Sequence, residues 1–211
     1  MKIALINENS QAPKNQLIYE TLKDVAGAHG HTVYNYGMYS EDEQIRTYVM
    51  NGLLSSILLT SKAADFVVTG CGTGEGAMLA CNTFPNVHCG YVADPCDAYL
   101  FGQINAGNAV SMPFAKGFGW GAELNLRYTF EKLFSEEFGG GYPKERAEAE
   151  KNNKKMLDSM KAISYRSLPE ILHDVDPTFL KASINGPKFR EYFFANCQDE
   201  EIAGIIRAAL D

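Results

Sequence analysis

The chain has 211 residues, of which 45% are hydrophobic and 21% charged, and this size allows one α/β domain with a small appendage. A formal net charge of -7 without a basic stripe argues against a nucleic-acid partner, and no apolar run reaches the roughly 18 residues that a membrane helix needs. The five cysteines show no Cys-x-x-Cys spacing and the N-terminal residues enter a strand directly, so we expect a cytoplasmic protein with reduced thiols and no targeting peptide.

Strands and helices alternate along most of the sequence. Short β-rich runs predict strands at residues 3–6, 31–36, 66–68, 87–92 and 109–112. Apolar residues at helical spacing predict a helix that starts near Pro13 and ends near Gly30, and others at residues 43–62, 77–81, 94–105 and 120–134. We therefore predict an α/β fold, a three-layer αβα sandwich of Rossmann-like type around a five-stranded, doubly wound parallel sheet.

The alternation breaks at residues 138–143, which are rich in glycine. The highly charged residues 144–155 are typical of either a helical arm or a solvated linker, and the sequence does not separate the two. Helical patterns interrupted by prolines follow, and Ile202, Ile205 and Ile206 with Leu210 suit a closing amphipathic helix. We predict an αβα domain over residues 1–149 and a helical C-terminal appendage over residues 150–211.

The strongest chemical signal lies at residues 65–82. A buried strand runs into Cys71-Gly72-Thr73-Gly74-Glu75-Gly76, and a helix follows. Such a turn points several backbone N–H groups and the positive end of the helix dipole at one spot, which attracts negative charge. A thiol at its mouth should have a lowered pKa and a larger thiolate fraction. A potential base beside an oxyanion-binding loop is what enolisation of a carbonyl compound requires.

This loop alone leaves other functions open. No Lys-Ser or Lys-Thr follows the glycines, so it is not a Walker motif. A dinucleotide-binding turn belongs in the first βα unit rather than the third, which makes a nucleotide-dependent oxidoreductase a weak alternative. A tight turn around a buried structural cysteine fits the local sequence about equally well. In a parallel sheet, ligands bind at the carboxyl ends of the strands, where we place Glu8, Asn9, Cys71, Thr73 and Asp94, with Asn105 as a further candidate.

Several separated motifs occur together in one order. They are Lys2-Ile3-Ala4, Gly30-His31-Thr32-Val33, Cys71-Gly72-Thr73-Gly74 with Gly76, Ala80-Cys81-Asn82, Ala98, Asn105-Ala106-Gly107-Asn108-Ala109-Val110 and Phe138-Gly139-Gly140-Gly141. In these motifs, residues 1–138 resemble the family of ribose-5-phosphate isomerase B and galactose-6-phosphate isomerase. Residues 150–211 look like the C-terminal extension carried by one branch of that family.

The resemblance implies an aldose–ketose isomerase that needs no metal or cofactor and works through a cis-enediolate. Cys71 would be the base that moves a proton between C1 and C2 of the open-chain sugar, and the loop N–H groups would hold the enediolate oxygen. Asn105 would donate to the same charge from a neighbouring subunit, so a homodimer or a dimer of dimers is implied. Glu8 replaces the family's Asp, which hydrogen-bonds sugar hydroxyls. The implied set is Cys71, Thr73, Asn105 and Glu8 for catalysis, and Asn9, Gly72, Gly74, Glu75, Gly76 and Arg146 for substrate binding.

The chain departs from the family pattern around the substrate. The His after the first strand is Asn9, the ring-opening His is Ile104, and the basic cluster that grips phosphate keeps Arg146 with Lys144 nearby. A phosphate dianion is best held by Arg or by several N–H donors, so this site is poorer in charge. Three interpretations remain: isomerisation of ribose 5-phosphate, isomerisation of a non-phosphorylated acidic sugar such as 4-deoxy-5-ketouronate, and a non-catalytic sugar or phosphate sensor.

Other residues have simpler interpretations. Arg46 could pair with a substrate carboxylate, but a charge on a helix surface is favoured for it. Asp94 could replace the ring-opening acid, and Glu75 could carry a proton, although capping of the helix N-terminus is slightly favoured for Glu75. The four scattered histidines offer no metal-ligand spacing, so no metal site is predicted. Small buried positions are expected for Cys81, Cys89, Cys96 and Cys197, and core or interface positions for Tyr91, Tyr99 and Trp120.

Overall fold

A five-stranded parallel sheet forms the centre of the fold. The computed structural model describes residues 1–43 and 45–211 of the chain. The strands are β1 (Lys2–Asn7), β2 (Thr32–Asn35), β3 (Phe66–Cys71), β4 (Cys89–Tyr91) and β5 (Ala109–Pro113), in the spatial order β2-β1-β3-β5-β4. Neighbouring strands all run parallel, so the predicted doubly wound parallel sheet is confirmed.

Helices cover both faces of the sheet. Those that alternate with the strands are α1 (Ala12–Ala28), α2 (Tyr48–Thr60), α3 (Glu75–Asn82), α4 (Pro95–Leu100) and α5 (Ala122–Leu133). On one face, Leu5 of β1 belongs to a core with Leu22 of α1 and Phe130 of α5. On the other face, Ile6 of β1 belongs to a core with Leu53 of α2. Successive residues of β1 thus feed opposite cores, as the period of a strand requires.

α2 is shorter than the sequence indicated. It begins at Tyr48 rather than at residue 43, because the Thr47 side chain caps it by accepting the Met50 N–H at 3.5 Å. Gln44, which the predicted helix included, lies outside the described residues. The cap fixes the start of α2 just beyond the carboxyl end of the sheet.

The charged segment after residue 143 is helical. A 3-10 turn (Lys144–Arg146) leads into α6 (Ala147–Ser164), which runs across the predicted domain boundary. It is followed by α7 (Leu168–Asp174), α8 (Pro177–Ser183), α9 (Phe189–Asn196) and α10 (Glu200–Leu210). The predicted closing amphipathic helix is confirmed as α10, in which Ile202 and Ile206 are buried.

The appendage shares a core with the sheet. Leu168, Leu180 and Phe189 of the appendage belong to the same buried cluster as Ala4 and Val67 of the strands. Burial of each large apolar side chain stabilises the fold by about 1.5–3 kcal/mol, so these contacts tie the appendage to the sheet. The division into residues 1–149 and 150–211 stays a prediction.

α6 carries a row of exposed apolar side chains. Met156, Leu157, Met160 and Ile163 are each more than half exposed, and we call them the α6 stripe. Their spacing places them on one flank of the helix. A contiguous exposed apolar face of this kind is typical of a surface that contacts another chain.

The cysteines only partly match their expected burial. Cys81 and Cys89 are buried, which confirms the prediction for these two. Cys96 is exposed because it lies in the first turn of α4, on the side that faces solvent, and Cys197 is only partly buried. The predictions for Cys96 and Cys197 were therefore wrong.

Candidate active site

The carboxyl ends of β1 and β3 lie side by side. Asn7 pairs with Gly70 in the sheet register, and the Glu8 N–H donates to the Gly70 carbonyl at 3.1 Å. The residues that follow these two positions are Glu8 with Asn9 on one segment and Cys71 on the other. The structure therefore brings these three predicted site residues to one edge of the sheet.

Cys71 ends β3 and is buried, with 7% of its surface exposed. The Gly74 N–H donates a hydrogen bond to the Cys71 Sγ at 3.2 Å. Gly74 has φ of 79°, and a Cβ there would lie 2.8 Å from the carbonyl carbon of Met112 and 2.9 Å from the nitrogen of Pro113. Because only glycine fits this position, the loop sequence keeps the N–H donor beside the sulfur.

The next residues start α3. The Glu75 N–H donates to the Thr73 hydroxyl at 3.4 Å, and N–H groups of a first helical turn lack partners within the helix. A helix N-terminus of this kind binds anions. The Glu75 carboxylate lies 3.5 Å from the Lys116 ammonium, and both side chains are exposed. The N-cap position of α3 is Gly74 and no side chain caps this helix, so the capping role predicted for Glu75 was wrong.

The loop after β5 supports the glycine loop from the other side. The N–H groups of Ala115 and Lys116 both donate to the Gly72 carbonyl, at 3.0 and 2.9 Å. A cavity of about 200 Å³ opens beside this loop, and its lining includes Tyr91 and Lys116 but not Cys71. The cavity and the thiol are thus neighbouring features of one edge.

Sequence reasoning missed two side chains at this edge. The Tyr48 ring lies 3.5 Å from the point where a Cβ of Gly76 would stand, and Gln11 Nε2 lies 4.0 Å from the corresponding point at Gly72. Gln11 is buried, and within the described residues its Oε1 has no hydrogen-bond partner. A buried amide oxygen is costly unless water or a ligand supplies a donor. Neither residue lies in a motif that would have marked it.

Trp120, expected in a core or interface, is fully exposed on the loop before α5.

Asn105 lies at the opposite edge of the sheet. It ends a π-helix (Phe101–Asn105) that continues α4, and β5 begins shortly afterwards at Ala109. Residues that precede a parallel strand lie at its amino edge, and a rise of about 3.3 Å per residue separates the two ends of β5 by roughly 13 Å. The placement of Asn105 at the carboxyl edge was therefore wrong. One copy of the chain does not bring Asn105 to its own Cys71.

Arg46 is not on a helix surface. It is 1% exposed, and it donates from Nη1 to the Asn185 carbonyl at 2.6 Å and from Nη2 to the Tyr36 carbonyl at 2.5 Å. Burial lowers the pKa of Arg46 to about 10, which still leaves the guanidinium charged at neutral pH. The interpretation as a surface charge was wrong because the appendage covers this side chain. With both Nη groups bonded inside the protein, pairing of Arg46 with a substrate carboxylate is also not supported.

The basic residues after the glycine cluster have partners within the chain. Arg146 Nε lies 3.5 Å from Glu150 Oε1, and Glu150 is 7% exposed. The other carboxylate oxygen of Glu150 accepts the Tyr142 N–H at 3.2 Å. Lys144 pairs with Glu136. The positive charge that remains near residue 146 is therefore largely compensated by carboxylates of the same chain.

Asp94 is engaged in helix capping. Its Oδ1 accepts the N–H groups of Cys96 and Asp97, at 2.8 and 3.0 Å, at the start of α4.

Within residues 1–43 and 45–211, no group of three or more His, Cys, Asp or Glu side chains is arranged to hold a metal ion. In the same part of the chain, none of the helices combines the length and apolar character needed to cross a bilayer.

Comparisons with known proteins extend over most of the chain. The family model described as Ribose/Galactose Isomerase matches residues 3–149. A second model, described as Ribose-5-phosphate isomerase, matches residues 163–208, within the appendage. A search of the curated proteins found no match.

Solved structures resemble the whole chain. The crystal structure of a 4-deoxy-L-threo-5-hexosulose-uronate ketol-isomerase complexed with a tartrate is 62% identical, with a TM-score of 0.97 over 100% of both chains. A ribose-5-phosphate isomerase from Vibrio parahaemolyticus is 50% identical, with a TM-score of 0.96 over 100% of this chain and 99% of that one. The type B ribose 5-phosphate isomerase of Trypanosoma brucei is 18% identical, with a TM-score of 0.63 over 75% of this chain and 97% of that one, which shows a shared fold alone.

Proposed function

We propose a substrate class and a catalytic base for this chain, which belongs to the ribose/galactose isomerase family and is a sugar isomerase. The proposed reaction is aldose–ketose isomerisation of an open-chain sugar, with Cys71 as the base. The proposed substrate is a non-phosphorylated ketouronate of the 4-deoxy-5-ketouronate type rather than a sugar phosphate. The pairing of Arg146 with the buried Glu150 is the observation that carries this choice.

The geometry of the glycine loop supports the role of Cys71. The thiolate, with the Gly74 N–H 3.2 Å from its Sγ, takes the proton from C2 of the aldose. The C2–H electrons form the C1–C2 double bond, and the negative charge moves to the former aldehyde oxygen. N–H groups at the start of α3 and the Thr73 hydroxyl hold this enediolate. A proton then moves from the C2 hydroxyl to the C1 oxygen, and Glu8 is the nearby carboxylate for this shift. The sulfur returns its proton to C1, which yields the ketose.

A phosphate dianion fits the retained basic residues poorly. Arg146 and Glu150 together carry no net charge, and drawing Arg146 away would leave the 7% exposed Glu150 carboxylate without its cation, held by the Tyr142 N–H. A monoanionic carboxylate needs less compensating charge than a phosphate dianion. Ile104 also stands where the family's ring-opening His is expected, and a substrate already in its open-chain form needs no ring opening.

The relatives support two substrates unequally. The relative that is 62% identical over its full length is described as a ketol-isomerase of a hexosulose uronate. The relative that is 50% identical is described as a ribose-5-phosphate isomerase, which makes ribose 5-phosphate the second candidate substrate. The higher identity and the Arg146–Glu150 pair both favour the uronate.

In this proposal the site is completed across a homodimer in the cytoplasm. Asn105 and Cys71 lie at opposite edges of the sheet, so Asn105 reaches the enediolate at Cys71 only from a second copy. The α6 stripe supports such an assembly, because it leaves apolar side chains unburied in the single chain. A two-fold dimer would supply two equivalent sites.

Parallel assays test the substrate choice. The purified chain is incubated with 4-deoxy-5-ketouronate and with ribose 5-phosphate, and kcat/KM for the ketose product is measured. We expect a preference for the uronate on the order of 100-fold, since a hydrogen bond to a charged group is worth about 1.5–3 kcal/mol and each 1.4 kcal/mol is about tenfold.

Glu150→Gln is the matched variant, because it removes the partner charge of Arg146 while keeping the side-chain size. It should raise kcat/KM for ribose 5-phosphate and change uronate turnover by less than about threefold. A wild-type preference for ribose 5-phosphate would reject the uronate assignment. Absence of turnover with both sugars would reject both substrates.

A further inference from the structure

Arg46 connects the appendage to the candidate active site. Its Nη1 donates to the carbonyl of Asn185, which lies between α8 and α9, at 2.6 Å. Its own backbone carbonyl accepts the Asn9 N–H at 2.8 Å. One residue therefore contacts the appendage with its side chain and the segment that carries Glu8 and Asn9 with its backbone.

Packing alone does not account for an arginine at this position. Arg46 is 1% exposed, its side-chain acceptors are two backbone carbonyls, and within the described residues its Nε has no partner. An apolar side chain here would leave the Tyr36 and Asn185 carbonyls without these donors. A methionine would fill this space, so the two directed hydrogen bonds are the property that arginine adds.

We propose that Arg46 is a positioning residue through which the appendage fixes Glu8 and Asn9 beside Cys71. This inference rests on the proposed function, since the position of Glu8 and Asn9 matters only if this edge binds a sugar. Two backbone hydrogen bonds hold them to neighbouring segments. The Glu8 N–H donates to the Gly70 carbonyl at 3.1 Å, and the Asn9 N–H donates to the Arg46 carbonyl at 2.8 Å. Without its two side-chain hydrogen bonds the backbone of residue 46, which accepts the Asn9 N–H, is free to shift, and a displacement of about 1 Å can lower a rate by about 100-fold.

Gly186 allows a test from the appendage side. A Cβ there would lie 3.0 Å from the Tyr36 carbonyl oxygen and 3.1 Å from Arg46 Nη1, so Gly186→Ala pushes the guanidinium without changing it. Gly204, on α10 of the same appendage, is the matched control, because a Cβ there meets nothing within 4 Å. Both substitutions add one methyl group, and only the first reaches Arg46.

Hydrogen–deuterium exchange of residues 7–11 reports on this anchoring without any substrate. We expect Arg46→Met and Gly186→Ala to speed exchange of the Asn9 amide by up to about tenfold, while Gly204→Ala matches the wild type. In isomerase assays, kcat should fall by about 10- to 100-fold in Arg46→Met and by less in Gly186→Ala, with KM raised in both. Arg46→Lys keeps a charged donor and should recover part of the loss.

Unchanged exchange at Asn9 in both variants would overturn the proposal. Faster exchange with wild-type kcat and KM would also overturn it, because Arg46 would then have a structural role only. If Arg46→Met does not fold, Gly186→Ala decides by the same two measurements. A wild-type chain without isomerase activity would instead refute the proposed function, and the exchange data would still decide whether Arg46 anchors the turn.

Discussion

Gly74→Ala tests whether the glycine loop holds its N–H donor beside the Cys71 sulfur. Gly74 has φ of 79°, and left-handed backbone costs a residue with a Cβ about 1–2 kcal/mol. The lower entropy of the unfolded alanine chain offsets about 0.4–1 kcal/mol of this. The new Cβ would also lie 2.8 Å from the Met112 carbonyl carbon and 2.9 Å from the Pro113 nitrogen, and overpacking of this kind costs about 1–3 kcal/mol. The free energy of unfolding should therefore fall by about 2–4 kcal/mol.

Gly30→Ala isolates the backbone contribution. Gly30 follows α1 with φ of 75°, and a Cβ there meets nothing within 4 Å, so this variant should lose only about 1 kcal/mol. Urea unfolding followed by circular dichroism gives the free energy of unfolding of both variants. Their difference, about 1–3 kcal/mol, is the cost of the contacts at Met112 and Pro113.

The same pair of variants reports on catalysis. Relief of the clash moves the Gly74 N–H away from the Cys71 Sγ, so kcat should fall at least about tenfold in Gly74→Ala and stay near wild type in Gly30→Ala. Equal destabilisation by the two substitutions, or a wild-type kcat in Gly74→Ala, would refute the geometry assigned to the loop.

Two further predictions concern the amino edge and the α6 stripe. Burial, together with lysine side chains of α6, lowers the pKa of His88 below 6.5 even though the Asp158 carboxylate lies 2.9 Å from its Nε2. Between that lowered pKa and 6.5 the unfolded chain binds more protons than the folded chain, so the free energy of unfolding rises with pH across this window. An NMR titration of His88 with a midpoint above 6.5 would contradict this prediction. Met160→Glu should convert the proposed dimer of 23.3 kDa chains to a monomer, as measured by light scattering, and remove most turnover. Leu17→Glu, an exposed apolar residue of α1 outside the stripe, should leave the dimer intact, and a monomeric wild type would contradict the proposed assembly.

The sheet and the glycine loop were predictable because they depend on consecutive residues. A β-rich run at residues 66–68 followed by alternating glycines determines the end of β3 and the start of α3. Parallel pairing of β1 with β3 then places Glu8 next to Cys71. Both steps use local periodicity and one topological rule, and neither needs knowledge of side-chain packing.

The burial of a side chain by a distant segment of the chain could not be predicted from the sequence. Arg46 has the local pattern of a surface charge, and its burial depends on Asn185, which lies far along the chain. Asn105 was misplaced for a different reason: the segment that returns from the end of β4 must finish at the amino edge before β5 begins. That error was avoidable from topology alone, whereas the position of Arg46 was not.

Solvent hydrogen exchange into the substrate tests the role of Cys71 most directly. In D2O, the wild-type chain should incorporate deuterium at C1 or C2 of the sugar, and Cys71→Ala should lower that exchange by about 100- to 10,000-fold. Cys96→Ala, which removes an exposed thiol, should exchange and turn over as the wild type does. Near-normal exchange and turnover in Cys71→Ala would contradict the assignment of this thiol as the base.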